Sequence, residues 1–197
     1  MRKTLATSTI AFLTVITCHA QVQSRTQEGG FFIRPAYTRA EFVKGGNISG
    51  GLNGGTVAAG LFSNGVHEFS LETGYLGGLA TGPLDDDGST YTGTANLAPL
   101  PWINYRYYIP LGSDKFRFHI GPTIGATYLK LDVDGVGSDS CFLFTYGGGG
   151  GLTLNLTEKL VLDANYRYLM HTDASMFGGT VTTPATHFIS AGLSYTF

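Results

Sequence analysis

The chain is poor in charge, cysteine and tryptophan, and it has no long apolar run. Charged residues fill 13% of its 197 positions, about half the ~25% of an average soluble domain. Twelve basic against fourteen acidic residues give a net charge of −2. That leaves no basic surface with which to hold phosphates, so nucleic acid is not an expected partner. Glu and Lys are too scarce, and β-forming residues too common, for a coiled coil. No G-X-Y period exists, which excludes collagen. With aromatics at 13% the chain is not of the disordered class either. No stretch reaches the ~18 apolar residues of a spanning helix. The two cysteines are Cys18 and Cys141, and one tryptophan, Trp102, is present. What is plentiful is glycine, with 29 residues, together with 11 Tyr and 13 Phe.

The N-terminus reads as an address. Arg2 and Lys3 precede an uncharged, moderately apolar stretch from Leu5 to Thr17, and Cys18-His19-Ala20 closes it with small residues at −3 and −1. This is a secretory signal peptide cut after Ala20, leaving residues 21–197 as the mature domain. The competing reading takes Val15-Ile16-Thr17-Cys18 as a lipid-attachment motif, for which Thr17 is a poor fit. After cleavage Cys141 is alone, so no internal disulfide is expected. An exported, glycine- and tyrosine-rich chain leaves a secreted β-sandwich or an outer-membrane β-barrel.

Period-two alternation chooses between them. Leu160, Leu162, Ala164, Tyr166, Tyr168 and Met170 share one face, and Val161, Asp163, Asn165, Arg167, Leu169 and His171 the other. Phe116 to Tyr128 alternates likewise with Arg117, His119 and Thr123 on the polar side. Phe69, Leu71, Thr73 and Tyr75 alternate with Glu68, Ser70 and Glu72, and Ile103, Tyr105 and Tyr107 with Asn104, Arg106 and Tyr108. Eight strands follow, near 31–42, 55–62, 67–79, 94–109, 116–131, 141–155, 160–171 and 186–197. Connections alternate between short turns (63–65, 110–115, 155–159) and longer polar stretches (43–54, 80–93, 132–140, 172–185). Long strands in even number, with short turns at one end and long loops at the other, predict an all-β, eight-stranded antiparallel up-and-down transmembrane barrel. Sandwich strands are shorter, typically ~5–6 residues. Tyr and Phe near strand ends suit an interfacial girdle against outer-membrane lipid.

The segment Asn104-Tyr105-Arg106-Tyr107-Tyr108-Ile109-Pro110-Leu111-Gly112 resembles a strand and short turn of the opacity-protein/OmpX-like family of small outer-membrane barrels. Phe116 to Tyr128, Leu160 to Tyr168 and the ending Ser190 to Phe197 resemble three more of its strands. The resemblance implies an outer-membrane location and a structural or surface-interaction role through four outer loops. It also implies that the C-terminal Tyr195 and Phe197 form the signal read by the barrel-assembly machinery. It carries no catalytic motif, so an enzyme is not expected. A monomer is expected, and the identity of any surface ligand stays open.

Two features strain the pattern. Pro99 and Pro101 fall inside the fourth strand, where a closed barrel has no free edge for a missing N–H; a loop-proximal extension with pairing from Trp102 is the expectation. Gly147 to Gly151 cost strand propensity, and a bend or room for a large neighbour would account for them.

The predicted inward faces carry Glu68, Glu72, Arg106, Arg117, Asp163 and Arg167, with Arg34 as a further member. An eight-stranded barrel is only wide enough for side chains to fill. These charges are therefore expected to pair and close the lumen, with a narrow porin-like passage as the alternative. His171, Asp173, Ser175 and His187 have the residue types of a lipid-modifying rim site but no nucleophile motif. Asp85-Asp86-Asp87-Gly88 and Asp132-Val133-Asp134-Gly135 lack the full spacing of a calcium loop and read as solvated turns. No cofactor or metal is expected. In the last loop, Met176, Phe177 and Val181 offer either an exposed apolar contact or a patch covered by a neighbouring loop.

Overall fold

The alternating stretches pair into one closed sheet. The computed structural model describes residues 29–43, 48–83, 90–113 and 115–197. The strands are β1 (Phe31–Phe42), β2 (Ser49–Ser63), β3 (His67–Pro83), β4 (Thr90–Ser113), β5 (Phe116–Val133), β6 (Gly137–Asn155), β7 (Leu160–His171), β8 (Ala174–Met176), β9 (Gly179–Val181) and β10 (Thr186–Thr196). Eight of them form the barrel, each antiparallel to its neighbours, and β1 closes the ring against β10. The short strands β8 and β9 form a separate hairpin inside the connection from β7 to β10. The predicted leader, Cys18 and the Asp85-Asp86-Asp87-Gly88 cluster lie outside the described residues.

Register is fixed by what each face must touch, because a one-residue slip would turn every side chain to the wrong side. In the β7–β10 ladder Leu169 faces Thr186 and Asp163 faces Gly192. Phe31, Leu61, Leu71, Ile103, Ile120, Leu152 and Leu193 point outward and are exposed. Tyr37, Tyr75, Tyr146 and Tyr168 lie on the same outer surface nearer the other end. Such a continuous apolar belt would aggregate in water, and hydrocarbon of a bilayer is what covers it. Among the described residues no helix is long and apolar enough to cross a membrane; the crossing elements are strands.

The strands are unequal. β1 and β7 have 12 residues and β10 has 11. β3, β4, β5 and β6 have 17, 24, 18 and 19. A tilted strand crosses a bilayer in ~9–11 residues. Turns at Asn64–Val66, near Lys115 and at Leu156–Lys159 hold these strands together at one end. The excess length of β3 to β6 therefore rises past the belt at the opposite end, as a four-stranded extension of the wall.

This extension corrects three expectations. Residues 49–54 and most of 132–140 are strand rather than loop. β2 begins at Ser49, and β5 turns into β6 through Asp134, Gly135 and Val136 alone. Glycine did not loosen the first of these stretches; it let strands approach. A Cβ on Gly54 would lie 1.9 Å from the Tyr75 carbonyl oxygen. Third, pairing of β4 does not start at Trp102 but continues to Thr90 opposite Pro83. The two prolines sit at a β-bulge, where the register shifts between Pro99 and Trp102. A bulge leaves backbone groups unpaired, so a missing N–H is tolerated there. The Pro99 carbonyl is still used, accepting from Thr73 Oγ1 at 2.8 Å. The glycine run continues as strand β6, and its inward members give room for large neighbours: a Cβ on Gly149 would meet Arg167 Cγ at 2.7 Å.

Candidate functional site

Among the described residues the strands bring polar side chains together away from solvent in the lumen, which divides along the barrel axis. In the half nearer the short turns, β1 contributes Arg34, β3 Glu68, Ser70 and Glu72, β4 Asn104, Arg106 and Tyr108, β5 Arg117 and His119, and β7 Asp163, Asn165 and Arg167, all buried. Alternation placed each one inward.

Glu68 is the hub. Arg34 grips it with both terminal nitrogens, at 2.8 and 3.1 Å. Tyr108 donates its hydroxyl to Glu68 Oε2 at 2.6 Å, and Ser70 donates to Oε1 at 3.3 Å. Arg106 lies 3.7 Å from the same carboxylate and donates to Asp163 Oδ2 at 2.8 Å. One level higher Arg167 forms a fork on Glu72, with both contacts at 2.8 Å, and Asn104 adds a donor at 3.2 Å. Bidentate guanidinium–carboxylate contacts of this kind fix geometry as well as charge. Arg117 stands nearer the short-turn mouth, where its Nη1 donates to the Gly65 carbonyl at 3.2 Å. So the structure links Glu68 to Asp163 through Arg106, adds Arg34 on Glu68, pairs Glu72 with Arg167, and gives Arg117 a backbone acceptor.

Arg167 marks the boundary with the other half. Its guanidinium lies 5.1 Å from the Trp102 ring and 5.9 Å from that of Phe188. Those rings meet edge to face at 5.1 Å. Beside them a hydrogen-bonded chain runs around the inner face from β4 to β7: Trp102 Nε1 donates to Thr127 Oγ1 at 3.0 Å, Thr127 bonds Thr145 at 2.7 Å, and Thr145 bonds His171 Nδ1 at 2.8 Å. Beyond it the interior is apolar. Leu52, Leu76, Leu97, Leu129, Leu131, Val133, Leu143 and Leu169 form one buried cluster with Phe42 and Ile48. The β8–β9 hairpin closes over this cluster. Ala174 and Met176 are buried in it and Val181 packs against it, so these apolar residues are covered rather than offered outward. The backbone N–H of Phe177 donates to the Asp139 carboxylate of β6.

The rim constellation does not assemble. His171 faces the lumen, with its two ring nitrogens bonded to Thr145 and Thr186 at 2.8 and 3.1 Å. His187 is on the outer wall, bonded to the Tyr166 hydroxyl at 2.6 Å and packed against Tyr168. Ser175 is exposed on β8. Among the described residues no group of His, Cys, Asp and Glu side chains is placed to hold a metal ion. Tyr108, His119, Asn104 and Asn165 belong to the polar site although charge alone does not single them out. The parity of the alternating strands is the signal that finds them.

Comparison with known proteins gives this geometry its relatives. Residues 10–197 match the model of the outer membrane protein beta-barrel domain family. No curated protein matches the chain by sequence. The Neisserial surface protein A (NspA) is similar in fold, with a TM-score of 0.60 at 17% identity over 87% of this chain and 100% of that one. OprG from Pseudomonas aeruginosa gives 0.60 at 13% identity over 87% and 97%. Ail, the attachment invasion locus protein of Yersinia pestis, solved with the heparin analogue sucrose octasulfate, gives 0.56 at 16% identity over 87% and 100%. At these identities the likeness is one of fold.

Proposed function

Because the chain belongs to the outer-membrane β-barrel family and resides in the cell outer membrane, we propose that it is a closed, non-enzymatic barrel that displays its projecting end as a surface for contact. The observation that carries this reading is the filled lumen. Charged pairs occupy one half and the apolar cluster with its hairpin cover occupies the other. In a barrel of this size that leaves side chains, not water, across the section. The start of β1, the C-terminal end and the short turns then face the periplasm, where Tyr195 of β10 and Phe197 just after it serve as the assembly signal. The projecting strands and the β8–β9 hairpin face outward.

A strained residue at the hairpin tip supports surface contact. Phe177 is exposed at 40% and has a φ of +51°. An L residue pays ~1–2 kcal/mol for that conformation, and such outliers cluster where function holds them. An aromatic ring held there suits an outer surface that meets another cell component. The attachment locus named for Ail is the same class of role on the same fold.

A narrow passage is the second reading. It is favoured by two small cavities in the polar half, one lined by Arg34, Arg117 and Asp163, the other by Arg106, His119 and Arg167. The test is planar-bilayer recording of refolded residues 21–197, with a heat-dependent gel shift to prove folding. A folded, silent protein is expected. Reproducible current steps would move the passage to first place.

A further inference from the structure

The connection from β7 to β10 carries the β8–β9 hairpin over the apolar cluster, and one side chain ties both of its ends. His171 is the last residue of β7, where the connection leaves, and Thr186 is the first residue of β10, where it returns. The His171 ring joins them, with Nε2 bonded to Thr186 Oγ1 at 3.1 Å. Its other nitrogen, Nδ1, bonds Thr145 Oγ1 of β6 at 2.8 Å and fixes the same point to the wall. The backbone beside it is held to β6 as well. Thr172 N–H donates to the Phe144 carbonyl, and Phe144 N–H donates to Thr172 Oγ1, both at 3.0 Å.

The protons of this staple have a direction. Trp102 Nε1 can only donate, and it does so to Thr127 Oγ1 at 3.0 Å. Thr127 then passes its own hydrogen to Thr145 at 2.7 Å, and Thr145 passes its own to His171 Nδ1. The ring accepts at Nδ1 and donates from Nε2 to Thr186, the pairing that a neutral imidazole supplies. A protonated ring has two donors and no acceptor. Thr145 must then turn its hydrogen back toward Thr127, and the Thr127 hydrogen loses its acceptor in the chain. A buried donor left unmet is costly.

No carboxylate belongs to this chain of bonds to offset the new charge. On β6, Asp139 is engaged with the N–H groups of Ser140 and Phe177, and the Cys141 thiol is half-buried. Asp173, just past β7, is exposed. Lower on β7, Arg167 is a cation already matched by Glu72. Tyr91 of β4 packs on the cluster as a neutral phenol. The inward residues of β5, β10 and β1 at this end, Thr127, Leu129, Thr186, Phe188 and Ala40, do not titrate. His187 lies on the outer wall.

We propose that His171 is a proton-operated staple: neutral, it binds both ends of the hairpin connection to the wall; protonated, it releases them, so that acid lifts the hairpin and opens the apolar cluster at the outer end. The device goes beyond the contact role and is independent of conductance.

The test uses refolded residues 21–197 in phosphatidylcholine vesicles, taken from about pH 7.5 to about pH 4, a range that spans the ordinary histidine value of ~6.5. Hydrogen exchange of residues 172–181, corrected for the intrinsic effect of pH, should accelerate in acid by up to about tenfold per pH unit, the slope of one proton. The barrel ladders should stay protected. His171→Gln offers one acceptor and donors without titrating, and it should fold and lose the acid step. Asp139→Asn should speed exchange at every pH and keep the step. A step that persists in His171→Gln, a step that vanishes in Asp139→Asn, or exchange that stays flat to about pH 4 would each overturn the proposal. If His171→Gln fails to fold, nuclear magnetic resonance of the unsubstituted chain decides: the exchange step must coincide with titration of the His171 ring, and coincidence with the His119 ring instead would overturn it.

Discussion

The two halves of the lumen reverse the polarity of their surroundings. Where the outer wall is apolar and meets lipid, the inside is a network of ion pairs around Glu68 and Glu72. Where β3 to β6 rise past the belt, the inside is a cluster of Leu, Val, Phe and Ile under the β8–β9 hairpin. The difference shows which solvent each part answers to. Within the bilayer the hydrophobic surface is spent on lipid, and the inside is left to polar groups that must satisfy each other. Past the bilayer, water surrounds the wall, and the chain builds the apolar core of a soluble sheet. The membrane part is held by lipid, backbone pairing and matched charges. The projecting part is held by the hydrophobic effect.

Breaking the polar half should cost most. Glu68→Ala strands Arg34 and Tyr108, and losing one partner of a buried pair costs about 3–5 kcal/mol. Unfolding in denaturant, read by gel shift, should show it. The double change Arg34→Leu with Glu68→Leu should recover most of that loss, because apolar replacement of a buried pair is often close to neutral. A double variant as unstable as the single one would mean that the pair itself, not the stranded charge, sustains this half.

The apolar half should answer to volume instead. Leu129→Ala, at a site with no exposure, should lose about 2–5 kcal/mol, the range for a buried Leu cut to Ala. The loss should appear first as faster proteolysis of the projecting strands. If cleavage sites move to the membrane-embedded wall, the two halves are one cooperative unit.

The hairpin should respond least. Asp139→Asn weakens the acceptor for the Phe177 N–H, and protease cutting at the hairpin should speed up while the gel-shift midpoint holds. Phe177→Gly should act in the opposite sense on the hairpin, because glycine adopts positive φ without strain. A slower cut at the tip would show that Phe177 is kept at a cost to the fold, as a contact residue would be.

Much of this was legible in the strands. β7 was read to its ends because Leu160 to His171 alternates without interruption and a barrel wall has only two faces. Glu68, Arg106 and Asp163 were placed inward by the same parity. The bulge was not legible. Local rules put Pro99 and Pro101 in a loop-proximal extension with pairing from Trp102, yet the sheet absorbs them by shifting register, and beyond the bulge the inward set on β4 changes from even to odd positions. The upper strands were missed because Gly, Ser and Asp there look like loop. Their strand character comes from partners, with Leu52, Leu131 and Val133 pulled into a core that only the assembled sheet provides.

Alternation along the chain is enough to specify an aromatic-rimmed wall and which residues face lipid. That follows from a period of two and a solvent of two kinds, both local properties. Which charges meet is set by ring closure, since Arg167 and Glu72 are 95 positions apart. Tertiary structure also decided that the far end of the lumen is a dry core and that the last connection folds back over it. Those outcomes depend on ring closure and on the stagger of eight strands, which bring distant side chains to one level only after every ladder has formed.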